Sequence, residues 1–517
     1  MSDAPLPGAA ATDALRDVPL THARPSLDVP VPLFDRGADD TVLIENGGPV
    51  SRRDIEARVQ RLARRLVEAP TSDAAPASPP DAHAAPVRYA LNLCDDRRHF
   101  LTAFAAVIAA GFVNLLPPNR QRSTIAGLVE RYADVFIVHD GSVAGLELPC
   151  AALDVRPAAN QADGAAPARI PVDTTPGRET QRPSARRDAL AAISFTSGST
   201  GVPGANLKRW GALIDGTAIN ARAMLQGLDN DPRAPLTVLA TVPPQHMYGL
   251  ELSVLLPMRA PVCVANGQPL YPADVCAALS ACAQPRALVT TPAHLRALTA
   301  AALPVPSACR VFSATAPLSD ELARRTESAF AATLVEIYGC SEVGSVARRQ
   351  SARDTLWEVF DGLALQAMSS TCGPGGGGTS YRVVAEHLDA APELQDALEI
   401  VAPRRFRLAG RQGDLLNIAG KRGSLAEITR LLLQAPDVVD AVAFQAEQGR
   451  LVAIVVAPPG RRHAIIAALR THLDPVFLPR PLLFAERLPR QASSKLLASD
   501  VQALYARLSG QRERAER

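Results

Sequence analysis

Lysine is almost absent from this chain. Of 517 residues only Lys208, Lys421 and Lys495 are lysine, and arginine supplies the remaining 51 of the 54 basic residues. Where a cation only has to solvate a surface, the sequence uses arginine. A lysine that persists marks a place where a compact charge on a flexible stem differs from a planar fork. Paired cysteines are also lacking. The eight cysteines, at 94, 150, 263, 276, 282, 309, 340 and 372, form no CxxC pair and no metal-ligand spacing, so they read as reduced thiols filling core volume. No apolar run approaches the roughly 20 residues of a spanning helix, and the opening Met1-Ser2-Asp3-Ala4-Pro5 carries no apolar signal region. A cytoplasmic location is expected. Net charge is only +2, so no bulk field draws in nucleic acid or an anionic membrane. There is no Walker A loop and no internal repeat. The glycine run at 373–378 lacks the flanking strand and helix that a dinucleotide fingerprint needs.

What is present is alternation. Short apolar runs at 41–44, 89–93, 112–116, 134–138, 191–195, 236–242, 262–265, 287–290 and 309–313 read as strands. Amphipathic stretches at 51–68, 98–110 and 123–132 lie between them, the first with Ser51 as N-cap. This pattern predicts an α/β fold: a large N-terminal domain of mostly parallel sheets packed with helices. Residues 1–30 are rich in Ala and Pro and are expected to be disordered; 69–86 and 156–187 read as polar loop and insertion. After residue 411 the texture becomes that of a small α+β unit. Helices are expected at 425–433 and 462–473, and strands at 438–444, 451–456 and 482–485. The predicted division is 1–30, a large domain at 31–411 and a small mobile domain at 412–517.

Four segments carry chemistry. The strand at 191–195 runs into Thr196-Ser197-Gly198-Ser199-Thr200-Gly201-Val202-Pro203-Gly204, a loop of N–H and O–H donors free of bulky side chains, suited to phosphate oxygens. A second strand ends in Tyr338-Gly339-Cys340-Ser341-Glu342, an aromatic with a carboxylate four residues on. Asp396 precedes Arg411 by 15 residues, and Arg411 opens the block Gly413-Asp414 to Lys421-Arg422. Near the C-terminus stands Pro489-Arg490-Gln491-Ala492-Ser493-Ser494-Lys495.

In this order and spacing the motifs resemble the adenylate-forming superfamily of acyl- and aryl-CoA synthetases, luciferases and peptide-synthetase adenylation domains, over roughly residues 40–505. The resemblance implies a two-step ligase. A carboxylate attacks the α-phosphate of ATP, giving acyl-AMP and pyrophosphate; a phosphopantetheine thiol, of an acyl carrier protein or of CoA, then takes the acyl group. It implies that Thr196, Ser197, Gly198, Ser199, Thr200 and Gly201 bind phosphates. Ala314, Thr315, Ala316 and Tyr338 border adenine, and Asp396 and Arg411 hold the ribose. Glu342 would bind Mg²⁺, and Lys495 would bridge the carboxylate and the α-phosphate. His246, Tyr248 and Gly339 would line the acyl pocket, Gly413 and Asp414 would form the hinge, and Lys421 would lie on the thiol side or simply at the surface. His294 reads as structural.

The chain departs from the family at three points. Gly204 stands where the family's loop has lysine, which suggests a longer loop from which Lys208 reaches the terminal phosphates. Gly413 stands at the usual charged hinge position, and Ser494 replaces the glycine before the catalytic lysine. The offset Lys208-Arg209-Trp210 and the stretch from Pro243 to Gly249 are similar to a subgroup that loads aryl groups such as hydroxybenzoate onto acyl carrier proteins. A CoA ligase, and a nucleotide-binding paralogue with reduced catalysis, are the alternatives.

Overall fold

The structure is a computed structural model. It describes all residues except 1–28, 70–86, 142, 144–149, 157–181, 197–203, 229–233, 302, 369–378, 412–414, 419–420, 447–449, 491–495 and 516–517. Most of the expected segments 1–30, 69–86 and 156–187 and the glycine run therefore lie outside the described residues, as do the expected hinge residues Gly413 and Asp414; the end of the insertion is not loop, since Ser184–Arg186 is a strand paired with Pro30–Pro32.

Two large sheets organise the fold. A six-stranded sheet runs in the spatial order Gly204–Arg209, Leu190–Thr196, Val113–Leu116, Tyr89–Asn92, Val135–His139 and Ala152–Asp154. All its neighbours are parallel except the first pair, which is a hairpin. An eleven-stranded sheet has a parallel centre formed by Val262–Ala265, Leu236–Ala240, Arg286–Thr290, Arg310–Ser313 and Thr333–Cys340. Antiparallel strands, among them Gly344–Arg349 and the hairpin Asp396–Ala402 with Arg405–Arg411, extend one edge. The mixed α/β architecture is the one the alternation predicts.

The helices form for legible reasons. Arg52–Glu68 opens with a reciprocal cap between Ser51 and Asp54, which stabilises it by about 1 kcal/mol. Its Ile55, Val59, Leu62 and Leu66 are buried, each contributing about 1.5–3 kcal/mol. Residues 251–255 form a π-helical turn, which no periodicity announces; such turns concentrate at functional sites.

Two buried cations bind the sheets to each other. Arg97, on the helix Arg97–Ala109, donates to the carbonyls of Ala240 and Val242 and to Ser253, and burial lowers its pKa to about 10. Lys208, on the hairpin of the smaller sheet, donates to the Glu342 carbonyl beyond the larger one. After residue 414 the chain builds a separate core around Leu425–Gln434, Asp440–Gln445, Leu451–Val456, Arg462–His472 and Leu482–Phe484, elements at the positions the sequence predicts.

Candidate active site

The parallel strands of the larger sheet deliver their carboxyl ends side by side, where open α/β sheets bind ligands. At the end of Arg310–Ser313 lie Ala314, Thr315 and Ala316. Thr315 is held at φ +79°, a left-handed conformation that costs a branched residue about 1–3 kcal/mol and clusters at ligand sites. Its hydroxyl and that of buried Ser313 have no hydrogen-bond partner.

One strand over, Tyr338 donates its phenol proton to the carboxylate of Asp396 at 2.7 Å. The Asp396–Arg411 spacing has a plain cause. Two seven-residue strands fold back on each other and bring Asp396 directly opposite Arg411. Trp357 and Phe406, stacked on each other, each approach the Tyr338 ring at 5.7 Å; the residue is 8% exposed, and its hydroxyl is the handle that aims Asp396.

Strand Thr333–Cys340 turns into Gly344–Arg349 with Glu342 exposed at the tip. Both glycines of this turn are required. A Cβ on Gly339 would fall 2.3 Å from the Gly344 carbonyl oxygen, and one on Gly344, at φ +100°, would fall 2.1 Å from Glu251 Oε1. The buried Glu251 carboxylate accepts from the Ser345 amide and hydroxyl, and burial raises its pKa.

The expectation of a lengthened phosphate loop is corrected. Thr196 pairs with Gly204, so the hairpin closes four residues before Lys208. Lys208 points inward, is 5% exposed, and its amine lies 2.6 Å from the Glu342 carbonyl oxygen instead of at the loop crest. Ser197, Gly198, Ser199, Thr200 and Gly201 lie outside the described residues, as does Lys495; Lys421 is placed only as a strand residue opposite Ile418.

His246 occupies the N-cap position of the short helix Met247–Leu250, and Gly249 packs so tightly that a Cβ would meet the Pro243 carbonyl oxygen at 2.0 Å. Tyr248 donates to the Thr290 carbonyl at 3.3 Å. Thr241 shares hydrogen bonds with Thr290 at 2.8 Å and with His294 Nδ1 at 2.9 Å. Burial lowers the His294 pKa. The threonines were not flagged by any motif, and only their position after apolar strands could have marked them.

The bridge between Arg490 and Leu496 brackets the segment containing Lys495. Arg490 clamps both Asp440 oxygens at 2.6 and 2.7 Å, and Asp440 lies 3.8 Å from Arg296. Arg296 sits on Pro292–Ala300, the helix that follows the strand ending at Thr290. Arg490 is thus tied, through Asp440, to the helix that follows the strand ending at Thr290.

The AMP-binding enzyme family profile matches residues 34–395. The chain belongs to the AMP-binding enzyme family. It is an adenylate-forming acid–thiol ligase. A 4-coumarate–CoA ligase of Rhodobacter capsulatus is 30% identical over 318 residues, covering 60% of this chain and 76% of the relative. An indoleacetate–CoA ligase of Aromatoleum aromaticum is 26% identical over 354 residues, covering 61% and 67%. Among solved structures, ATP-bound MatB from Rhodopseudomonas palustris superposes with a TM-score of 0.70 at 18% identity, covering 92% and 97% of the two chains. The anthranilate CoA ligase AuaEII in complex with anthranoyl-AMP gives 0.71 at 14% identity, covering 93% and 98%. At these identities the solved structures share the fold.

For an AMP-binding enzyme the carboxylate inventory is informative. Among the described residues no group of three His, Cys, Asp or Glu side chains converges as a metal cage. Glu342 is exposed at its turn, with the Cys340 thiol beside it. No helix among the described residues is long and apolar enough to cross a membrane.

Proposed function

We propose that this ligase activates an aryl carboxylic acid bearing a ring hydroxyl, of the hydroxybenzoate or hydroxycinnamate type, and delivers it to a phosphopantetheine thiol. The observation that carries this reading is the convergence of strained Thr315, the Tyr338–Asp396 bond and the Glu342 turn at the ends of neighbouring strands. The aryl assignment is supported by the relatives named for 4-coumarate and indoleacetate and by the polar chain of Thr241, Thr290 and His294 beside Tyr248.

In this reading the loop from Thr196 to Gly201 holds the β- and γ-phosphates of Mg·ATP, with Glu342 on the metal. Asp396 accepts the ribose hydroxyls, Arg411 backs it, and Ala314 to Ala316 border the base. His246, Tyr248 and Gly339 line the acid's approach. Lys495 neutralises the charge that builds between carboxylate and α-phosphate, electrostatic work of the kind that dominates such transfers. Gly413 and Asp414 pivot the segment after 411 so that Lys421 faces the incoming thiol.

For the acceptor, the curated relatives are named as CoA ligases. A carrier-protein arm is a second reading with its own observation. Residues 412–517 hold 15 basic and 10 acidic residues, net +5, against −3 for the first 411. That asymmetry steers an acidic macromolecule toward the segment that completes the site. ATP–pyrophosphate exchange across a panel of benzoates, cinnamates and fatty acids tests the first half. Exchange that needs a hydroxylated aryl acid supports the proposal; exchange with no acid present overturns it in favour of a catalytically reduced paralogue. Mass detection of the thioester with CoA or with a holo-carrier protein then separates the two acceptors, and salt-sensitive transfer to the carrier is the expected mark of the second.

A further inference from the structure

Lys208 is the one lysine of three whose side chain the structure describes, and it is used where a surface cation never would be. It lies on the hairpin strand Gly204–Arg209 of the six-stranded sheet, opposite Ala192, with the register shifting immediately after it. The amine crosses to the other sheet and donates to the backbone carbonyl of Glu342 at 2.6 Å. Only 5% of the residue is exposed. Burial disfavours its charge, and the strongest opposing influence is the Glu251 carboxylate.

Glu251 grips the other arm of the same turn. Its two oxygens accept from the Ser345 amide at 3.2 and 3.1 Å, and one also accepts from the Ser345 hydroxyl at 2.6 Å. Gly344 presses on this carboxylate so closely that no side chain fits between them. The turn that presents Glu342 is therefore held from both sides by one buried cation and one buried anion, drawn from two elements that are not its neighbours in sequence. The base of the hairpin that carries Ser197 to Gly201 and the tip that carries Glu342 share this connection.

We propose that Lys208 is a positioning residue that sets the Glu342 turn in register with the phosphate-loop hairpin, with Glu251 as its counter-charge. The proposal rests on the reading of Glu342 and the hairpin as the Mg·ATP site. It explains why arginine, used elsewhere throughout, is not used here. A guanidinium carries five donors in a rigid fork, and this enclosed slot, with one carbonyl to receive a bond, would leave most of them unmet. The amine is compact enough to donate to that carbonyl while the Glu251 carboxylate favours its charge.

The test uses the full chain and four variants: Lys208→Met, Lys208→Arg, Glu251→Gln and the double variant K208M/E251Q. The first readout is binding of Mn²⁺ with a non-hydrolysable ATP analogue, followed by electron paramagnetic resonance. The second is the Mg²⁺ concentration for half-maximal pyrophosphate exchange. Lys208→Met is expected to weaken Mn²⁺–nucleotide binding and raise the Mg²⁺ requirement, each by about tenfold, the size expected for losing one charge-assisted positioning contact. Lys208→Arg is expected not to rescue. The double variant removes the buried charge imbalance, so its thermal midpoint should recover while the metal dependence does not. Should Lys208→Met fail to fold, Ser345→Ala, which loosens the same turn from the Glu251 side, is expected to shift the metal dependence in the same direction. The proposal is overturned if Lys208→Met or Ser345→Ala folds with unchanged Mn²⁺ affinity, or if the double variant restores metal dependence along with stability. A wild-type protein that binds the Mn²⁺–nucleotide pair without acid-dependent exchange would sink the ligase substrate reading and leave this one standing.

Discussion

The nucleoside end of the site and the lysine end are built differently. At the nucleoside end Tyr338, Asp396 and the Glu342 turn belong to one continuous sheet. Tyr338 packs against the stacked pair Trp357 and Phe406, and Phe406 is fully buried. Their placement follows from packing, which tolerates little displacement. At the other end, Arg490 is joined to the helix after the Thr290 strand by the chain Arg490–Asp440–Arg296, whose side chains are 16–21% exposed. A few charged contacts hold Arg490, and charged contacts can be broken and remade. The contrast matches a two-step reaction in which adenosine stays bound while the group that assists the first step must leave for the second.

The widest expected separation between the two ends comes from Lys495→Ala. In the role proposed for it, losing this charge should lower acid-dependent pyrophosphate exchange by about 10³-fold while nucleotide binding stays intact, as read by exchange kinetics and by calorimetry with AMP. Next is Asp396→Ala at the packed end. Losing hydrogen bonds to a charged group worth about 1.5–3 kcal/mol should weaken ATP binding by roughly tenfold to a hundredfold, read as KM for ATP. Gly344→Ala forces a left-handed Cβ onto Glu251 and should destabilise the protein by about 1–3 kcal/mol, seen as a lower urea midpoint. Asp440→Asn loosens the joint without touching the sheet. It should slow exchange by about tenfold, a misplacement effect, while KM for ATP holds.

The smallest effect concerns pH. Burial lowers the His294 pKa, so between that value and the ordinary value of about 6.5 the unfolded chain holds a proton that the folded protein refuses. Stability should therefore fall as pH is lowered from about 7 toward 5, and His294→Gln should flatten that fall in thermal midpoints.

Much of this was legible before any coordinates. The central strands and the first helix follow from apolar periodicity and the Ser51 cap. Asp396 opposite Arg411 is what a hairpin of that length produces. The main failure has a plain cause. Lys208 was read by its motif as a group facing a ligand, whereas it is fixed by residues more than forty positions away, Glu342 and Glu251. The Thr241–Thr290–His294 chain was invisible for the same reason, since Thr241 follows one strand while Thr290 and His294 belong to the next strand and the helix after it. Side chains placed by long-range packing leave no local pattern.

The comparison is tested most directly by supplying a preformed hydroxyaryl-adenylate to the wild type, Lys495→Ala and Asp396→Ala, and measuring thioester formation. The account predicts near wild-type transfer from Lys495→Ala, whose residue serves the first half-reaction, and a large loss in Asp396→Ala, whose pocket serves both. Equal loss in the two variants would contradict it.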